Sequence, residues 1–176
     1  MHASTLCVLF IGDGWVTGEE RLWQADLVRC TRPAGSAYSS GGVGDGHELS
    51  DEISRGYTYR IEVDGAASEH RAATVVVANS GYYGSGMRIA PRASVTDGLL
   101  DVVVIRAASR LQLIWWLPKL YDGSHVELDE MLVLTGKTVT MSSVDPAIAY
   151  GDGERVADLP VTATVRPGAL AMLATA

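Results

Sequence analysis

From Tyr57 onward, apolar residues recur in short runs punctuated by Gly, Asp and Pro, the texture of strands joined by tight turns. Residues 57–63 alternate apolar and polar, Asp64-Gly65 follows as a turn signal, and residues 72–78 form the continuous apolar run of a central strand. A hairpin is predicted there. Further strands are predicted over 87–90, 99–106, 131–134, 138–141, 147–150, 160–165 and 170–173. Their number and regular spacing predict a mainly β fold, an antiparallel β-sandwich with one or two short helices.

One segment keeps a helical period instead. Residues 109–121 place Leu111, Ile114, Trp115, Leu117, Leu120 and Tyr121 three or four apart, with Ser109 as cap and Pro118 expected to kink or interrupt the helix. The first reading is a core helix lying across the sheet. The second makes Trp115 and Trp116 part of a partly exposed, lipid-facing wall. Upstream, residues 6–11 suit a buried strand, and 17–28 a short helix capped by Thr17 with Glu19 and Glu20 in its first turn. Residues 31–46, dominated by Gly, Ser and Pro, suit a linker or loop. The chain thus divides into a partly irregular N-terminal extension, 1–56, and a β-sandwich, 57–176.

Composition narrows the function. A length of 176 residues and 47% hydrophobic content support a real core, and 19 glycines against one Phe favour turns over long helices. The formal net charge of −7 argues against nucleic-acid binding, which needs clustered Lys and Arg. An anionic membrane would be repelled by the average surface, so lipid contact requires a local apolar or basic patch. Cys7 and Cys30 form no CxxC pair and have no His in ligand spacing, so neither a zinc site nor a disulfide framework is supported. With no signal core and no apolar run of membrane-spanning length, a soluble cytoplasmic protein is expected.

Candidate chemistry is sparse. Gly81, Gly84 and Gly86 have the order G-x-x-G-x-G, not the dinucleotide pattern, and suit a bulge or close-packed strands better than a phosphate loop. Asp97-Gly98 reads first as a tight turn, and as the alternative an oxygen-rich place for a hard cation. In Asp152-Gly153-Glu154 two carboxylates two residues apart project from one face when extended, so one proton affinity is raised and a general base near neutral pH results; a surface turn is the simpler reading. Gly12-Asp13-Gly14 lies between a predicted strand and a predicted helix, a weak phosphate-binding context. His2, His47, His70 and His125 are scattered and define no hydrolase triad.

Taken together, Asn79, Gly84-Ser-Gly86-Met87, Ala90-Pro91, Ala93, Asp97-Gly-Leu-Leu-Asp101, Gly123-Ser-His125, Asp152-Gly-Glu154 and Pro160 resemble, in order and spacing, the C-terminal domain of diacylglycerol kinase and sphingosine kinase type lipid kinases. The resemblance runs from Tyr57 to Ala176. It implies a β-sandwich that presents a lipid acceptor to ATP bound against a separate N-terminal α/β domain. It further implies that Glu154 takes the proton from the lipid hydroxyl with Asp152 beside it. Asp97, with the carbonyls of Ser94 and Leu99, corresponds to a Mg²⁺ site. Gly12, Asp13 and Gly14 correspond to a degenerate nucleotide motif.

The partners implied are a lipid with a free hydroxyl, a transient membrane contact at the periphery of the bilayer and a second copy of the chain. Two departures stand against a complete enzyme. Ile11 and Trp15 replace the Gly and Thr that flank Gly-Asp-Gly in the family motif, and the family's Gly-Thr-x-Asn-Asp run is absent. The expectation is therefore an acceptor half, inactive without its nucleotide domain; the alternative is a noncatalytic β-sandwich binding lipid or protein. The resemblance also implies that residues 170–174, which in the family return to the nucleotide domain, are left exposed.

Overall fold

A computed structural model describes residues 6–10, 20–31, 56–83, 86–151 and 154–175. Ten strands follow one another with a single α-helix among the described residues: β1 (Leu6–Phe10), β2 (Glu20–Thr31), β3 (Tyr57–Val63), β4 (Ala66–Ala78), β5 (Leu100–Arg106), α1 (Arg110–Asp122), β6 (Met131–Gly136), β7 (Thr138–Ser143), β8 (Ile148–Gly151), β9 (Glu154–Asp158) and β10 (Val161–Thr175). They form one sheet in the order β2-β10-β7-β3-β4-β1-β8-β9, with β5 on β4 and β6 on β5. This is the mainly β, sandwich-like architecture that the strand spacing predicts. The pairings are antiparallel except at β1, which runs parallel to both β4 and β8.

β4 joins the two halves of the curled sheet. Its first residues pair with β3, from Ala66↔Val63 to Ala72↔Tyr57, and its last pair with β5 and β1. Side chains alternate across it, so Val75 and Val77 enter one cluster with Tyr59 and Ile61 of β3, Val102 and Val104 of β5, and Val139 and Met141 of β7. Val76 and Ala78 enter a second cluster on the opposite face with Val103, Ile89 and Ala90. Burial on both faces is why residues 72–78 and 102–105 read as largely apolar runs.

The β3–β4 turn is also as expected. Asp64 and Gly65 both have positive φ, 49° and 89°, the two-residue geometry that follows the twist of a hairpin. Asp64 then does more than turn the chain. Its carboxylate accepts the backbone N–H of Thr138 at 2.8 Å and of Lys137 at 3.0 Å, closing the β6–β7 connection against the hairpin. These hydrogen bonds hold its pKa below the ordinary 3.8.

Several predicted elements differ. Residues 20–28 are not helical: β2 pairs with β10 from Thr31↔Thr162 to Glu20↔Thr175, and this ladder prevails because a helix of that length is marginal without packing. Thr17 and Glu19 lie outside the described residues, as does most of the predicted 31–46 loop. The predicted 87–90 strand is reduced to a bridge between Tyr83 and Met87, since Ile89 and Ala90 turn inward and Ala93 N–H donates to the Ala90 carbonyl. The predicted strands at 160–165 and 170–173 belong to one long β10, offset between Arg166 and Leu170. The backbone of residues 170–174 pairs with β2.

Helix α1 forms where predicted. Ser109 accepts from Gln112 N–H and the Gln112 side chain accepts from Ser109 N–H, a complete capping box. Pro118 does not interrupt it; the helix continues to Asp122. The core-helix reading holds for Trp116 and fails for most of the stripe. Trp116 is 3% exposed and packs with Ala108 and Met131, whereas Trp115 is 62% exposed and Leu111 79%. The adjoining strand faces are already covered by the residue 79–99 loop, so one aromatic anchor and the flanking Leu120 hold the helix down.

Trp116→Ala is expected to destabilise the fold by about 3–5 kcal/mol in denaturant titrations, while Trp115→Ala changes it by about 0.5 kcal/mol or less. Asp64 contributes a pH signature of opposite chemistry. Its ionised form stabilises the fold fully above pH 3.8, and that contribution is lost as the pH falls through the lowered folded pKa. Thermal melts of Asp64→Asn should therefore lie below wild type at neutral pH and converge with it in strong acid.

Candidate functional site

The conspicuous glycine-bearing stretch after β4 is a folded flap and not a phosphate loop. Asn79 and Ser80 are buried as the chain leaves β4. Gly81 passes so close to the returning segment that a Cβ there would meet the Ala90 carbonyl oxygen at 3.1 Å. Tyr83 and Met87 exchange backbone hydrogen bonds at 2.8 and 3.0 Å, and Ile89 and Ala90 then seat on Val76, Ala78 and Val103. The close-packed reading holds for Gly81; Gly86, at φ 92°, has open space where a Cβ would stand, and Gly84 lies outside the described residues.

Gly123-Ser-His125 locks that flap to α1. Gly123 ends the helix with φ 84°, donating its N–H to Lys119 O, and a Cβ at this position would meet Pro91 Cγ at 2.8 Å. His125, in the following single helical turn, is fully buried. Its Nε2 lies 3.0 Å from Ile89 O and its Nδ1 3.2 Å from Lys119 O. A neutral imidazole has one N–H, so it serves one of these carbonyls at a time, whereas an imidazolium serves both. Arg88 N–H adds a direct bond to Leu120 O at 2.7 Å.

The flap ends in the predicted Asp97-Gly98 turn. Leu99 N–H donates to Asp97 Oδ1 at 3.0 Å, and Thr96 N–H reaches Ser94 Oγ at 3.5 Å. Asp97 is exposed and Ser94 and Leu99 are half-buried, so the turn offers a solvent-facing carboxylate among oxygen atoms, donors of the kind a hard cation takes. Among the described residues no three His, Cys, Asp or Glu side chains cluster as a metal site. A cation here would rest on one carboxylate plus backbone carbonyls and water.

Strand register brings Asn79, Asp97 and the ends of the strands that precede the other two motifs to one edge. Ala78, the last residue of β4, pairs with Asp101 on one side and with Phe10 on the other. Leu9, one residue earlier in β1, pairs with both Val77 and Gly151. The parallel strands β4, β1 and β8 therefore finish together, and each runs directly into a motif: Asn79 and the flap, Ile11-Gly-Asp-Gly14, and Asp152-Gly-Glu154. Asp97 lies just ahead of β5 at the same edge. Gly12, Asp13, Gly14, Asp152 and Gly153 are outside the described residues. Glu154 is described as the first residue of β9, paired with Gly151.

Two features at this edge were not legible in the sequence. Asp101, half of an Asp-Gly-Leu-Leu-Asp run, is 6% exposed; burial raises its pKa, countered by the Thr135 hydroxyl donating to Oδ1 at 3.0 Å and aggravated by Asp97 nearby. Beside it lies a cavity of about 110 Å³ bounded by Ala90, Pro91, Arg92, Asp101, Val103, Val126 and Val133. The burial of Asp101 follows from its place opposite Thr135 in the β5–β6 ladder, a long-range pairing that no local pattern announces.

A β-sandwich built on these motifs is similar to the C-terminal domain of diacylglycerol kinase type lipid kinases. Residues 52–174 match the YegS C-terminal NAD kinase beta sandwich-like domain, and the chain belongs to that family. The diacylglycerol kinase of Mycobacterium tuberculosis is 36% identical over 119 residues, which cover 65% of this chain and 37% of the relative. A crystal structure of a diacylglycerol kinase from Bacillus anthracis has the same fold, with a TM-score of 0.62 at 14% identity over 88% of this chain and 55% of that one. The chain thus matches well under two thirds of the length of either.

His125→Ala should destabilise the protein by about 2–4 kcal/mol, because the buried Ile89 carbonyl loses the ring that faces it and a void opens. Hydrogen exchange would show the loss as faster exchange at Met87–Ala90 than in β7. Uniform acceleration across both would assign His125 to the global core instead.

Proposed function

We propose that the chain is the acceptor-presenting half of a lipid kinase that moves the γ-phosphoryl group of ATP to the hydroxyl of a lipid such as diacylglycerol. Membership of the family, with the Asp152-Gly-Glu154 motif continuing from β8 at the edge where Asn79 and Asp97 lie, carries this reading.

Phosphoryl transfer asks a protein for positioning and charge neutralisation more than for covalent chemistry. Glu154 takes the proton of the lipid hydroxyl as that oxygen bonds to the γ-phosphorus; the bond from phosphorus to the bridging oxygen breaks, and ADP leaves with the electron pair. Asp152, two residues away, raises the proton affinity of Glu154 by like-charge repulsion. Asp97, with the Ser94 and Leu99 carbonyls, would hold Mg²⁺. That ion, when bound, supplies positive charge that steadies the turn and the adjoining phosphate-facing edge. Gly12, Asp13 and Gly14, following β1, contribute the nearest nucleotide contact from this chain.

A second reading, a noncatalytic lipid- or protein-binding sandwich, is favoured by Ile11 and Trp15 beside Gly-Asp-Gly. Mg-ATP binding separates the two. The kinase reading expects saturable Mg-ATP affinity and transfer of labelled phosphate to a short-chain diacylglycerol when the chain is combined with the nucleotide-binding half of a relative. Glu154→Gln should then lower turnover by about 10²–10⁴ with the melting temperature unchanged. Equal turnover by that variant removes Glu154 from the base role, and no Mg-ATP affinity in the combined protein leaves the binding module.

A further inference from the structure

Helix α1 turns its apolar side away from the protein. Leu111 is 79% exposed, Ile114 63%, Trp115 62%, Tyr121 51% and Leu117 49%, and Tyr82 of the flap adds a ring that is 52% exposed. On the helix these residues are three or four apart and form one stripe. Isolated surface leucines are ordinary, but a contiguous aromatic and aliphatic stripe marks a contact site.

Charge selects the occupant. Lys119 Nζ lies 5.0 Å from the centre of the Trp115 ring, and the Arg88 guanidinium 5.9 Å from that of Tyr82. Asp122 is the sole acid in the α1 sequence, and its carboxylate is turned back to Ser124 N–H at 2.8 Å. A chain with formal charge −7 therefore presents an apolar, aromatic stripe bordered by cations. A second copy would set these cations against their own images around a two-fold axis, and the acidic remainder of the two chains would repel.

A membrane surface with anionic headgroups meets both halves of the pattern. Rings and aliphatic side chains enter the boundary of the acyl region while Lys and Arg remain at the phosphates. No described helix is long and apolar enough to cross a membrane, so the fitting geometry is a helix lying in the interface. We propose that α1 docks the protein on anionic lipid, with Leu111, Ile114 and Trp115 inserted and Lys119 and Arg88 on headgroup phosphates. The proposal stands apart from the kinase reading, since it requires neither nucleotide nor a reactive hydroxyl.

The test is co-sedimentation with vesicles of phosphatidylcholine alone and of phosphatidylcholine with phosphatidylglycerol, without ATP or diacylglycerol. Wild type should bind the anionic vesicles more strongly, and salt should weaken the difference. Ile114→Ser with Trp115→Ala should lower binding about tenfold or more, and Lys119→Gln about fivefold on anionic vesicles alone. Val144→Ser, at an apolar residue 91% exposed outside α1, should bind as wild type does. Matching melting temperatures exclude misfolding. The proposal is overturned if wild type ignores anionic vesicles, if the α1 variants bind as wild type does, or if Val144→Ser loses as much. A dimer in sedimentation equilibrium that the α1 variants abolish would assign the stripe to a second copy and equally overturn it. Glu154→Gln should bind vesicles normally; a wild type that docks on anionic vesicles yet transfers no phosphate when combined with the nucleotide-binding half of a relative would count against the kinase reading alone.

Discussion

The structure depends on the pairing of β4 with three partners. One strand of 13 residues must satisfy backbone hydrogen bonds to β3 along its first half and to β5 and β1 along its second, while burying side chains on both faces. Each requirement removes freedom from the others. A polar side chain at Val75 or Val77 would enter the inner core, and one at Val76 or Ala78 would lift the flap. Small and β-branched residues meet these conditions, and the run Ala-Ala-Thr-Val-Val-Val-Ala stands there, with the one hydroxyl at half-buried Thr74.

From that strand the chemistry of the edge follows. β1 pairs parallel to β4 and β8, so motifs separated by some seventy residues each emerge from strands that end side by side. Ligand sites commonly lie beyond the carboxyl ends of parallel strands because the chain leaves such ends in one direction, carrying exposed turns with it. A mainly antiparallel sheet gains that arrangement here from one five-residue strand. The flap then carries Asp97 back to the same edge, pinned by His125 on one side and by Ile89 and Ala90 beneath.

Legibility in the sequence followed locality. The hairpin at Asp64-Gly65, the capping box at Ser109 and the apolar strands were readable because each is set by residues close in the chain. β2 was misread, since its conformation comes from β10, some 140 positions later, and not from its own period. The outward face of α1 was misread for a related reason: a helical stripe predicts burial but cannot reveal that the flap already occupies the sheet face it would have used. The Asp97 turn was readable as a turn. The burial of Asp101 and the two carbonyl partners of His125 were not, because they arise from long-range register and packing.

The row Thr135–Asp101–Ala78–Phe10 has a consequence for how such a domain can vary through evolution. Residues in one row of a ladder move together: sliding β5 by a single position would carry the Asp97 turn about 3.4 Å along the sheet and turn Asp101 to the opposite face. The flap, by contrast, is tied down at a few points, and its tip between Tyr83 and Met87 bears no part of that row. Insertions are therefore affordable at the tip and ruinous in the strands. The domain is a fixed ruler with an adjustable cover: the flap can vary in length while the row that sets Asp101 and the Asp97 turn keeps its register.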